Sequence, residues 1–144
     1  MIISLAVRTT AGTSGAAAWE IRTGSTPGRA RLLEVGVFLA AATASTYGIG
    51  RPAAIGVTPT SPVDFLAEDP ADVLASGVVQ SALAWGTGPT APTNFFRRIG
   101  LPATIGTGVI WTFPKGIAIS VSSSIVLWNL ATNGVVDAYA LLDV

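Results

Sequence analysis

Cysteine and histidine are absent from the 144 residues, and lysine and methionine occur once each. Without cysteine there is no disulfide and no thiolate metal site. Without histidine the commonest general base and the commonest transition-metal ligand are missing. Charge is scarce as well. An ordinary soluble domain of this length carries about 36 charged side chains, roughly a quarter of its residues. Here 8 basic and 8 acidic residues make up 11% of the chain, while half of it is apolar. The charges cancel, so the net balance favours neither nucleic acid nor an anionic membrane surface. So few charges cannot wet the outside of a lone folded unit, and the composition predicts that neighbouring subunits cover part of it. The length predicts one domain spanning 1–144, with a core of its own.

The apolar excess does not read as membrane-spanning helix. Of the longest uncharged stretches, Val73–Phe96 contains Gly86, Gly88, Pro89 and Pro92, which break a helix. The other, Gly116–Val136, alternates Ile117, Ile119 and Val121 with Ala118, Ser120 and Ser122, which is strand periodicity. Met1–Val7 holds no basic residue ahead of Arg8, so the start does not read as a signal peptide. The alternation alone leaves a transmembrane β-barrel as a minor alternative; the preferred expectation is no membrane partner.

Strand signals separated by turn chemistry recur along the chain. Ile2–Arg8 alternates with Ile3, Leu5 and Val7 on one face, and Ala16–Arg22 follows a glycine-rich loop. The cluster Gly24–Gly28 predicts a turn. Arg31–Ala42 reads as a long strand with Leu33, Val35, Val37 and Leu39 inward. Tyr47–Val57, broken by Gly48, Gly50, Pro52 and Gly56, reads as a bulged or edge strand and loop. Asp69-Pro70-Ala71-Asp72 has the chemistry of a helix start and predicts a short helix to about Ser76. Gly77–Trp85, Thr104–Phe113, Gly116–Leu130 and Val135–Val144 read as further strands. Pro114-Lys115 and Asn133-Gly134 would close the last three into a meander. Eight to ten short strands with at most one short helix near 70–76 predict an all-β, antiparallel β-sandwich, jelly-roll-like.

One strand changes character along its length. In Gly116–Leu130 the even positions begin as Ser120, Ser122 and Ser124 and become Val126, Trp128 and Leu130. Something must cover that apolar outer half. A loop of the same chain, a face-swapping bulge at Ser123, or a neighbouring subunit would each do so. The subunit alternative makes Val126, Trp128 and Leu130 candidate interface residues.

Catalytic and metal-binding patterns are weak. Asp64, Glu68, Asp69 and Asp72 hold half the carboxylates but lack the spacing of a calcium loop, and helix capping plus a solvated loop explains them more simply. The first 60 residues carry five arginines and two glutamates, whereas 64–72 is purely acidic. Asp69 and Asp72 are therefore candidates to meet Arg29, Arg31 or Arg51 of a neighbouring subunit. The glycine pairs continue into neither a dinucleotide fingerprint nor a phosphate loop. Lys115, the one lysine, lies in a turn where its amine stays protonated and is a poor base. Glu20 and Glu34 are the carboxylates a two-acid glycosidase would use, but pairing with Arg22 and Arg31, or facing solvent, is the plainer expectation. Trp19, Trp85, Trp111 and Trp128 suit core or interface anchoring better than a sugar platform. The doublet Arg97-Arg98 is thin support for nucleic acid and predicts instead that one arginine pairs internally or across a subunit boundary. The residues predict no enzyme, no cofactor and no metal.

The run Arg31-Leu32-Leu33-Glu34-Val35-Gly36-Val37-Phe38-Leu39, the loop Gly50-Arg51-Pro52-Ala53-Ala54, and the ending from Trp111-Thr112-Phe113-Pro114 through Val126-Leu127-Trp128-Asn129 carry a family likeness. The chain resembles the small jelly-roll proteins that tailed bacteriophages place on their capsids as decoration or cement. The resemblance implies a homotrimer at three-fold or quasi-three-fold positions of the shell. It would be made in the host cytoplasm, sit on the virion exterior and clamp adjacent major capsid subunits. It implies no catalytic residues. A carbohydrate- or receptor-binding β-sandwich module of a phage tail or fibre is the alternative.

Overall fold

The computed structural model describes residues 1–25 and 29–144. Thr26, Pro27 and Gly28, from the turn expected at Gly24–Gly28, lie outside the described residues. The described chain is all-β and contains no helix: β1 (Ile2–Arg8), β2 (Ala17–Thr23), β3 (Ala30–Leu39), β4 (Ser45–Gly50), β5 (Val57–Pro59), β6 (Val63–Asp64), β7 (Leu66–Ala67), β8 (Val79–Ala82), β9 (Trp85–Thr87), β10 (Phe95–Leu101), β11 (Gly108–Ile119), β12 (Ser124–Asn129) and β13 (Val136–Asp143). The strand count exceeds eight to ten because four pairing segments, β5, β6, β7 and β9, are only two or three residues long.

Two antiparallel sheets pack face to face as a β-sandwich. One has the order β11-β3-β13-β1-β7, the other β10-β4-β12-β2-β8-β6, and β5 and β9 form a small ribbon. Inward positions alternate as the pleat requires. Ile3, Val35, Val37, Leu39, Val136, Ala138, Ala140 and Leu142 from the first sheet meet Trp19, Ile21, Tyr47, Ile49, Ile125 and Leu127 from the second in one core. Buried polar atoms are matched there: the Trp19 indole Nε1 donates to Ser81 Oγ at 2.7 Å, and the Tyr47 hydroxyl donates to the Gly134 carbonyl at 3.0 Å.

Several local expectations are corrected. No helix starts at Asp69. Its carboxylate accepts from the Ala71 N–H and its carbonyl from the Asp72 N–H, closing one turn that capping chemistry serves equally well. Leu32, not Leu33, points inward, because β13 pairs Leu141 with Glu34 and Leu142 with Leu32, leaving Leu33 as a bulge that shifts the phase. Pro114-Lys115 does not end a strand. β11 runs through it and pairs with β3 on both sides, at Thr112–Glu34 and at Ile117–Leu32, so residues 113–116 loop out. β12 does not join β11 and β13 in a meander, since it lies in the opposite sheet. Asn133-Gly134 accordingly closes no hairpin, and neither residue has a positive φ. Instead the Asn133 amide bridges Thr46, accepting from its N–H and donating to its carbonyl, both at 2.8 Å. β4 is an interior strand between β10 and β12 rather than an edge.

Candidate assembly surfaces

The outer face of the six-stranded sheet is covered by the chain itself. Ala82, Val126 and Trp128 are buried yet stand outside the inter-sheet core. On this face the segment between β4 and β10 lies against Glu20 through Gly56 and Trp85, and Glu20 holds it down. Glu20 on β2 is fully buried and accepts four hydrogen bonds. Oε2 receives the Gly56 N–H at 2.9 Å and the Ser124 hydroxyl at 3.0 Å. Oε1 receives Arg22 Nη1 at 2.8 Å and the Trp85 indole N–H at 3.1 Å. Arg22 also donates to the Gly56 carbonyl at 3.0 Å. A buried carboxylate with every lone pair occupied and a guanidinium beside it is a tie, with no capacity left for substrate chemistry. The pairing of Glu20 with Arg22 is as expected from sequence.

Gly48 and Gly50 serve the same cover. A Cβ at Gly48 would fall 2.6 Å from the Phe95 ring, and one at Gly50 2.7 Å from the Asn94 carbonyl oxygen. These are glycines of close approach rather than of a turn. Val126 and Trp128 are thus enclosed within the chain, and neither offers surface to a neighbour. Leu130 is half-buried just beyond β12.

Among the described residues nothing covers the outer face of the five-stranded sheet in this way. Pairing aligns Ser4 with Leu141 and Glu34, Ala6 with Tyr139 and Gly36, and Gly36 with Ile110. Two aromatic rings lie flat here: a Cβ at Gly36 would fall 2.1 Å from Tyr139 Cε1, and one at Gly108 2.3 Å from Phe38 Cδ1. The Tyr139 hydroxyl donates to Glu34 Oε1, and this bond pushes its pKa up to about 12, so the phenol stays neutral. Glu34 thus pairs with Tyr139 and not with Arg31, which donates to the Lys115 carbonyl. Ile110 is 53% exposed on this face, beside half-buried Phe38, Tyr139 and Leu141. The ion pairs Arg8 with Asp137 at 2.7 Å and the Met1 amino group with Asp143 at 3.3 Å border it.

The two lateral edges of the sandwich carry opposite charge. At one edge β6 and β7 end their sheets, and Asp64, Glu68, Asp69 and Asp72 lie on or just beyond them. Asp64 is occupied, accepting from the Ser76 hydroxyl, the Gly77 N–H and the Gln80 amide; these bonds hold its pKa below the usual carboxylate value. Glu68, Asp69 and Asp72 are exposed. At the other edge β10 and β11 end their sheets. Arg97 lies over the Phe113 ring at 5.1 Å, Arg98 over Phe95 at 5.8 Å and Arg51 over Phe96 at 5.6 Å. Among the described residues none of the three has a carboxylate partner. Beside them opens a cavity of roughly 390 Å³ lined by Arg51, Pro52, Asn94, Phe95 and Phe96. A bulge at Phe96 breaks the β10–β4 pairing and turns that ring outward.

The structure thus separates the predicted site residues. Arg51 belongs to this cavity, and Asp69 and Asp72 sit at the opposite edge. Arg29, just before β3, and Arg31, on it, are exposed; Arg31 bonds to Lys115 on β11, and neither lines the cavity. The cavity's aromatic lining escaped sequence reading, although the run Phe95-Phe96-Arg97-Arg98 was its visible signal. Among the described residues no three carboxylates cluster as a metal site. All four tryptophans are buried or half-buried, so an exposed indole platform is not among these surfaces. Comparison with protein-family models, curated proteins and solved structures returns no match, so these surfaces stand on their own geometry.

Proposed function

We propose that the chain is a structural, non-catalytic subunit of a phage virion: a homotrimeric decoration protein that binds the outside of the capsid and stabilises contacts between major capsid subunits. The uncovered outer face of the five-stranded sheet carries this reading. The chain devotes a long segment to covering one side of the sandwich and leaves Ile110, Tyr139, Leu141 and Phe38 on the other at the surface. Flat, pinned rings lose little side-chain freedom on docking, which suits a permanent contact. Strand order supports a jelly roll within the sandwich. Taking the eight longest-paired strands β1, β2, β3, β4, β10, β11, β12 and β13 as first to eighth, the sheets run 1-8-3-6 and 2-7-4-5.

Co-sedimentation of the purified chain with tailed-phage capsids tests the proposal. Bound chain should survive molar salt and be released by denaturant, because the contact is mostly apolar. Ile110→Lys should lower binding by about ten-fold or more while leaving the fold intact, since this side chain stands exposed on the face, outside the core. A chain that stays in the supernatant, or binding indifferent to Ile110→Lys, contradicts the proposal.

A further inference from the structure

We propose that the turn Glu68–Val73 of one copy seats in the Arg51 cavity of the next, joining copies head to tail across opposite edges of the sandwich. The inference deepens the homo-oligomer reading above and rests on it. Charge complementarity selects a second copy as the occupant. The two edges hold unmatched charges of opposite sign, and neither finds a partner within the described chain. Apolar surface is matched too: Val73, 85% exposed, and Leu66, 66% exposed, stand at the acidic edge, and Pro52, Phe95 and Phe96 line the basic one.

Both sides are organised before they meet. Pro70 and the Asp69 hydrogen bonds to Ala71 and Asp72 fix the turn, leaving Asp69 Oδ2 and the Asp72 carboxylate directed to solvent. Arg51 and Arg98 lie across aromatic rings, which restricts them while leaving their N–H forks open to carboxylates. Such a charge-assisted contact beside a small apolar anchor fits the few charges this chain has. Because donor and acceptor surfaces differ, the interface is heterologous; a rotation of one third of a turn between copies closes it as the trimer proposed above, and a rotation that does not close would give an open filament.

Sedimentation equilibrium of the whole protein tests the contact with four chains: wild type, Asp69→Lys/Asp72→Lys, Arg51→Glu/Arg98→Glu, and the variant combining all four changes. Each double reversal should raise the dissociation constant of the oligomer by about ten-fold or more. The combined variant should restore assembly to within about three-fold of wild type, since each contact regains opposite charges. Circular dichroism and thermal midpoints close to wild type will establish that the exposed substitutions left the sandwich folded. A wild-type oligomer indifferent to both reversals, or a combined variant no better than either double, overturns this contact and leaves the oligomer reading standing. A wild type that is monomeric overturns both.

Discussion

Glu20 is the residue on which the cover of the six-stranded sheet turns. Its pairing with Arg22 was legible, because residues two apart on a strand share a face. Its burial was not, because the Gly56 N–H and the Trp85 indole come from 36 and 65 residues away. Glu20→Gln keeps the shape but turns an amide N–H₂ toward groups that themselves donate, and leaves the Arg22 guanidinium without its carboxylate. The expected cost is about 3 kcal/mol, the low end for breaking a buried pair, read from a lowered denaturant midpoint at unchanged m-value. Proteolysis should quicken between Arg51 and Thr60, the segment Glu20 fastens. Unchanged stability would show that the tie contributes nothing.

At the scale of elements, strands were legible wherever one face is buried and one is not. β1 and β13 read correctly because Ile3, Val136, Ala138, Ala140 and Leu142 alternate with outward positions. The reading failed where a local motif has more than one use. Asn133-Gly134 is hairpin chemistry, yet here the amide imitates a strand partner for Thr46 while the chain crosses between sheets. Asp69-Pro70 is helix-capping chemistry applied to a single turn. The apolar outer half of β12 was legible as a covered face, but sequence alone could not say that the chain covers it itself.

Asp64 shows how the short acidic-edge elements are held, since β6 is attached to the turn before β8 and to β8 by its carboxylate. Its depressed folded pKa gives the sign. The contribution is complete above the unfolded value of about 3.9 and is lost as pH falls through the lower folded value. Asp64→Asn should cost about 1 kcal/mol at neutral pH. The gap from wild type in thermal midpoint should close below about pH 4. A gap that persists or widens in acid would contradict this role.

For the whole molecule, the low charge and the structure agree on where surplus apolar surface goes. Some of it is turned inward by self-covering: Trp19, Trp111 and Trp128 are all buried in the chain. The rest remains outside, as Ile110 on the open sheet face and as Leu66 and Val73 at the acidic edge. A lone unit would expose these beside unpaired arginines at its other edge. An assembly would cover them. The solution mass of the wild-type protein in native buffer, measured by sedimentation equilibrium at micromolar concentration, decides between the two. The account predicts a stable oligomer near three times the chain mass of 14.6 kDa; a particle of 14.6 kDa that persists as the protein is concentrated would contradict it.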